Sequence, residues 1–327
     1  MPSASVPATA KQAHDTRDPR QWGWVEPTGW SERMLAALVN GVTGGKWYSL
    51  WDKVSDRQTL EASWRAVAHN QGAAGVDGQS VQRFAAQAER YLDELAADRQ
   101  AGRYQPNDVR RTYIPKAGGG QRPLGIPTVK DRIVQGAVKR VLEPIFEWEF
   151  LGVSYGFRPG RGAKDALRAV DQLIKAGHTW VVDADLKSYF DTIPHATLLA
   201  KVAAHLSDGR VLALIQAYLE QGILEGLQRW MPTQGTPQGA VLSPWLANLY
   251  LHGLDAQMSA QGQAIVRYAD DFVILCATEA EAQHALAQVQ AWTAAHGLTL
   301  HPDKTHLGDG RQAGQGFEFL GYRFEGG

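Results

Sequence analysis

Two short runs of this sequence carry carboxylates to the ends of apolar strands. In one, Ile265-Val266-Arg267-Tyr268 and Phe272-Val273-Ile274-Leu275 flank Ala269-Asp270-Asp271. In the other, Trp180-Val181-Val182 runs into Asp183-Ala184-Asp185. β-Branched and aromatic runs of this kind favour buried strands, and a carboxylate at the edge of buried strands is costly unless its charge is offset. A turn exposed to solvent is one solution; a bound divalent cation is another. Neighbouring strands lie about 4.8 Å apart, so if the two runs pair, Asp185 and Asp270 share one metal-sized space. Carboxylate oxygens suit hard Mg²⁺. Two such ions about 4 Å apart activate a hydroxyl for in-line attack and stabilise a leaving pyrophosphate. Asp183 lies on the same strand face as Asp185, so periodicity does not choose between them. Spacing alone leaves the surface turn and the metal pair both open.

The elements that must position these groups follow from pattern. Residues 28–70 carry tryptophan and leucine at helical spacing, as in Leu60, Trp64 and Val67, and helical periodicity returns over 79–100 after a glycine-rich loop at 70–78. Arg110–Pro115 reads as a strand and Gln121–Ile126 as its return, with Pro123 confining the return to a sheet edge. The turn between them brings Lys116 and Arg122 near the tip. Helices are expected over 130–150, 196–224, 241–256 and 279–296, the last stopped by Gly297, and strands over 179–185, 264–268, 272–276 and 317–322. The strands around Asp270 form a tight hairpin, which requires antiparallel pairing. This favours an α+β layer fold over a doubly wound parallel sheet.

The bulk numbers limit the classes. A chain of 327 residues with 44% hydrophobic composition has enough for one large domain or two modest ones. One cysteine, Cys276, excludes an internal disulfide framework and a cysteine-based zinc site and fits a reducing cytoplasm. No apolar stretch is long enough to span a bilayer, and the first twenty residues do not read as a secretion signal. The net charge is -1, but residues 101–140 hold nine basic residues (Arg103, Arg110, Arg111, Lys116, Arg122, Lys130, Arg132, Lys139 and Arg140) against Asp108 and Asp131. That is +7 locally and -8 elsewhere, the distribution of a polyanion site on a repelling body.

Tyr268-Ala269-Asp270-Asp271 resembles the YxDD box of reverse transcriptases, and Asp185-Leu186-Lys187-Ser188-Tyr189-Phe190-Asp191 resembles their first aspartate motif, which selects Asp185 over Asp183. Further motifs follow in family order: Ile114-Pro115-Lys116 with Arg122 to Pro127, Ser154 to Arg161, Thr236-Pro237-Gln238-Gly239 with Leu242-Ser243-Pro244, Gly297 to Lys304, and Phe319-Leu320-Gly321-Tyr322. Gly72 to Gly78 resembles a block found in group II intron proteins. The match covers roughly residues 46–324, ending at the primer-grip motif, before the thumb and maturase region of that family.

The resemblance implies the fingers and palm of a right-hand polymerase, with an antiparallel palm sheet carrying the YADD hairpin and packed on helices. Ser, Pro and Ala content reads as a disordered tail (1–27), and the resemblance divides the remainder into an N-terminal extension with the start of the fingers (28–104) and fingers and palm (105–327). It implies an RNA-directed DNA polymerase using two Mg²⁺ ions, an RNA template (intron RNA), a DNA primer and dNTPs. Asp185, Asp270 and Asp271 are the implied metal ligands, and Lys304 the implied acid for pyrophosphate. Lys116, Arg122, Phe190, Gln238 and Gly239 are the implied nucleotide contacts, with Phe190 under the sugar, where a ring excludes a 2′-hydroxyl. Arg158, Arg161, Leu320, Gly321 and Tyr322 are the implied primer and template contacts. The same fold also serves non-catalytic splicing factors and reverse transcriptases recruited to host defence; a pure binder has no chemical need for the three aspartates together.

Overall fold

The computed structural model describes residues 25, 29–42, 44–115, 119–312 and 314–325. Lys116 and, apart from Val25, the tail expected over 1–27 lie outside them. The described strands are β1 (Val109–Pro115), β2 (Gln121–Ile126), β3 (Trp180–Ala184), β4 (Ile223–Glu225), β5 (Gln228–Trp230), β6 (Ala264–Tyr268), β7 (Asp271–Cys276), β8 (His306–Asp309), β9 (Phe317–Phe319) and β10 (Tyr322–Phe324). The chain forms two compact units, residues 25–148 with 190–246, and residues 149–189 with 247–325. Residues on both sides of the expected boundary at 104/105 fall in the first of these.

The unit of 149–189 and 247–325 is built on an antiparallel sheet ordered β6-β7-β3-β8. Its strands pair as the two carboxylate runs require: Ala184 stands opposite Phe272, and Tyr268 opposite Asp271. Alternation along the strands sends Val181, Val266, Val273 and Leu275 into one core with Ala166 and Val170 of the helix Ala163–Lys175, closed by Phe317 and Phe319. The helix Glu279–Ala295 packs on the same sheet through β3 and β7.

The other unit carries a sheet ordered β2-β1-β4-β5. Pro123 lies on its edge strand β2, as its missing N–H requires. The helix Arg57–Asn70 packs on Val129–Glu147 so closely that Ser63 Oγ donates to the Ile133 carbonyl at 2.7 Å.

Three expectations are corrected. Residues 196–224 are not one helix but two, His195–His205 and Gly209–Leu219, followed by the start of the β4–β5 hairpin. Asp208 interrupts them by capping the second helix, accepting from Arg210 N and Val211 N. The strand expected over 317–322 is a hairpin, turned by Leu320 (φ 53°) and Gly321 (φ 78°). The local excess of positive charge is partly consumed inside the fold. Arg132 donates to the carbonyls of Gln71 and Ala73, and Arg110 to that of Ala74, so both cations hold the 70–78 loop instead of facing a polyanion.

Candidate active site

Ala269 and Asp270 form the two-residue loop between β6 and β7, and Ala269 takes the left-handed conformation there (φ 59°). A non-glycine residue in that region is strained unless its surroundings impose it. Here they do. The buried Arg267 guanidinium donates to the Ala269 carbonyl at 2.7 Å, to Asn248 Oδ1 at 2.9 Å and to Ser154 Oγ at 2.8 Å, and it grips both oxygens of buried Asp255 at 2.7 and 2.5 Å. Asn248 in turn donates to the Gly156 carbonyl at 2.7 Å. A Cβ at Gly156 would come within 2.5 Å of Ala269 N, so only glycine lets this backbone lie against the turn. The YADD loop is therefore clamped from behind by Arg267, Asp255, Asn248, Ser154 and Gly156. Sequence reasoning missed this cluster, although the Arg267–Asp255 pair was open to suspicion as two ionisable residues in otherwise apolar elements.

Asp185 follows β3 and is held by backbone: its carbonyl accepts from His301 N at 2.7 Å, while Lys187 N donates to Thr299 at 2.8 Å. The segment carrying Lys304 is thereby laid along Asp185. Lys304 Nζ reaches Asp185 Oδ2 at 2.7 Å. The ammonium pKa is raised, first by that hydrogen bond and charge, then by Asp271 and Asp270. Lys304 is bonded to Asp185 and feels the charge of the two aspartates at the hairpin turn. Asp183, which the motif set aside, borders these groups. Its pKa is pushed up to about 7, chiefly by burial and then by Asp271, Asp185 and Glu318.

Among the described residues, no three His, Cys, Asp or Glu side chains form a ready-made metal cage. The donor set nonetheless fits a hard cation. Carboxylates crowd within one another's field, one already binds an ammonium, and a divalent ion relieves that repulsion.

The other expected contacts divide between the units. Within 25–148 and 190–246, Phe190 and the Gln238 loop are joined: Thr236 N donates to the Phe190 carbonyl at 2.7 Å. The loop is fixed to β2 by Gly125 N donating to the Gln238 carbonyl at 2.7 Å, and to the helix Val129–Glu147 through Gln135 Oε1, which accepts from Val241 N. Gly239 (φ 101°) comes so close that a Cβ there would meet the Gly125 carbonyl at 2.9 Å. Arg122 is exposed on β2, three residues before Gly125.

In the unit of 149–189 and 247–325, Arg161 donates to the Gly152 carbonyl at 2.8 Å, and Tyr322 is exposed beside the Leu320-Gly321 turn. Arg158 is a correction. It is buried, and its guanidinium donates to the carbonyls of Leu151, Ser154 and Phe150. Those bonds spend it on backbone, not on a template phosphate.

The β6–β7 hairpin thus carries Asp270 and Asp271 next to the strand that leads into Asp185, whose carboxylate bonds Lys304. Residues 114–324 match the family model described as "Reverse transcriptase (RNA-dependent DNA polymerase)", and the chain belongs to that family. It is 35% identical to Protein YkfC of Escherichia coli K12 over 297 residues, 78% of this chain and 76% of that protein. It is 41% identical to the group II intron-encoded protein LtrA of Lactococcus lactis over 169 residues, 51% of this chain but 28% of LtrA. Its fold is also that of an apo telomerase from Candida tropicalis truncated from its C-terminal domain, with a TM-score of 0.51 at 15% identity, covering 67% of this chain and 53% of that one. Within the family it is a reverse transcriptase of the group II intron type. Enzymes of this family use divalent metal ions. No described helix is long and apolar enough to cross a membrane.

Proposed function

We infer that this chain adds deoxynucleotides to a DNA primer on an RNA template, with two Mg²⁺ ions held by Asp185, Asp270 and Asp271. The observation that supports the reading is that Asp185, bonded to the Lys304 ammonium, follows the strand paired with the hairpin that carries Asp270 and Asp271. When bound, the ions supply activation of the 3′-hydroxyl and charge stabilisation of the pyrophosphate. The protein's own groups do the remainder. The clamped YADD turn fixes Asp270 and Asp271 before substrate arrives, so that little reorganisation is required during reaction. Lys304, carried beside Asp185, is positioned to hold a proton for the leaving group. Arg122, with Lys116, supplies cationic donors for the triphosphate. Phe190, tied to the Gln238 loop, stands under the sugar and rejects a 2′-hydroxyl by overlap. Arg161, Leu320, Gly321 and Tyr322 line the path of the primer and template.

The intron type of the relatives supports intron RNA as the natural template. Primer extension tests the reading. The chain should add dNMP to a primer on an RNA template in Mg²⁺, and addition should stop in EDTA and return with Mg²⁺. Failure to incorporate a single nucleotide, with primer-template bound, would overturn it.

A further inference from the structure

Alternation along β1 and β2 places Arg122 on one face of their sheet and Arg111, Tyr113 and Pro123 on the other. On that second face, within residues 25–148 and 190–246, lies a cavity of about 490 Å³, lined by Arg111, Tyr113, Asp191, Trp230, Met231 and Gln234 among others. Its size falls among small-ligand pockets, roughly 300–1,000 Å³. Trp230, Met231 and Tyr113 remain exposed. The Arg111 guanidinium lies over the Trp230 ring, 5.6 Å from its centroid, and Arg111 Nε is buried without a hydrogen-bond partner. Asp191 lines the same cavity as Arg111, and burial raises its carboxyl pKa while the Arg111 cation opposes the rise. The cavity therefore combines flat aromatic faces with a donor, an acceptor and an amide that is both.

A bare phosphate would leave the aromatic faces unused. A purely apolar ligand would leave Arg111 Nε and Asp191 unmatched. A planar heterocycle with a hydrogen-bonding edge uses all of them. We propose that this cavity binds one unpaired nucleobase, stacked on Trp230 and read at its edge by Arg111 and Asp191. That an RNA strand presents the base rests on the polymerase reading; a free nucleotide has the same chemistry. The cavity also adjoins the nucleotide loop, since Gln234 to Pro237 line it and Thr236 holds the Phe190 carbonyl.

The test uses a short single-stranded RNA with one 4-thiouridine, and the same RNA with an abasic site at that position. Photocrosslinking should mark Trp230 or Met231. Trp230→Ala should weaken binding about 5- to 150-fold, the effect of losing one base–aromatic stack, whereas Trp230→Phe, which keeps a ring, should retain most of the affinity. Arg111→Gln should weaken binding to the base-containing strand more than to the abasic one. Circular dichroism melting verifies that each variant is folded. Full competition by millimolar GMP identifies a free nucleotide as the natural source; resistance to it identifies the strand. Equal affinity for the abasic strand, or parental binding by folded Trp230→Ala, overturns the site. Binding is read without catalysis, so the two readings fail separately. If primers are extended but binding ignores Trp230, this site fails alone; if Trp230-dependent binding survives without extension, the polymerase reading fails alone.

Discussion

At the scale of single residues, the site depends on which atoms are already committed. Arg158 and Arg161 lie three positions apart in one motif, yet Arg158 is buried among three carbonyls while Arg161 is only half-buried. Nothing in the residue types separates them; the difference comes from where the chain folds back. Lys304, which the resemblance assigned to the pyrophosphate, is the converse case: it is exposed, yet its ammonium bonds Asp185. Phe190 allows a prediction at this scale. Phe190→Ala or Phe190→Val opens space for a 2′-hydroxyl without touching the aspartates. The ratio of catalytic efficiencies for a deoxynucleotide over its ribonucleotide should fall on the order of tenfold or more, since each 1.4 kcal/mol of lost discrimination is a factor of ten. Single-nucleotide incorporation with each nucleotide measures it. A folded, active variant with the parental ratio would make Phe190 a packing residue only.

At the scale of elements, local pattern revealed most strands and helices but not their ends or their tertiary roles. The strands flanking Asp270 were readable because apolar runs meet at a short loop, and β3 pairs beside them as the carboxylate argument required. The β4–β5 hairpin was hidden because its strands are only three residues long and follow a helical run. The 317–324 hairpin was hidden because Leu320 does not advertise a left-handed turn. The clamp behind the YADD turn was hidden for a different reason: Ser154, Asn248, Asp255 and Arg267 are far apart in sequence, and only the fold brings them together.

That clamp makes two predictions. In Gly156→Ala the new methyl would press on Ala269 N, which should cost about 1–3 kcal/mol as overpacking. If the aspartates move by about 1 Å, incorporation should drop roughly 100-fold. Chemical denaturation alongside single-turnover kinetics checks both, and parental kinetics would show that the turn does not rely on this contact. Arg267→Met leaves Asp255 buried and unpaired, which should cost about 3–5 kcal/mol. The double variant Arg267→Met/Asp255→Leu should recover part of that loss in thermal melts; a double variant no more stable than the single one would contradict the pairing account.

At the scale of the whole molecule, the chain passes between its two units at 148/149, 189/190 and 246/247. The first aspartate motif straddles one of these crossings, so a stretch of seven residues contributes Asp185 to one unit and Phe190 to the other. Net charge was a poor guide at this scale. The overall -1 pointed away from a nucleic-acid partner, and the local +7 overstated the free basic surface because Arg110 and Arg132 are used inside the fold. Ordered motifs were the better guide, because each encodes a local geometry and their succession encodes the fold. The central claim is that Asp185 and Asp270 act through bound metal on an RNA-templated reaction. The most direct measurement is single-nucleotide incorporation on an RNA template in Mg²⁺ by the parent, Asp185→Asn and Asp270→Asn at matched concentration. The parent should incorporate and both variants should fall to background rates, with melting profiles showing that both remain folded, because each loses a hard anionic ligand. Near-parental incorporation by either folded variant would contradict it.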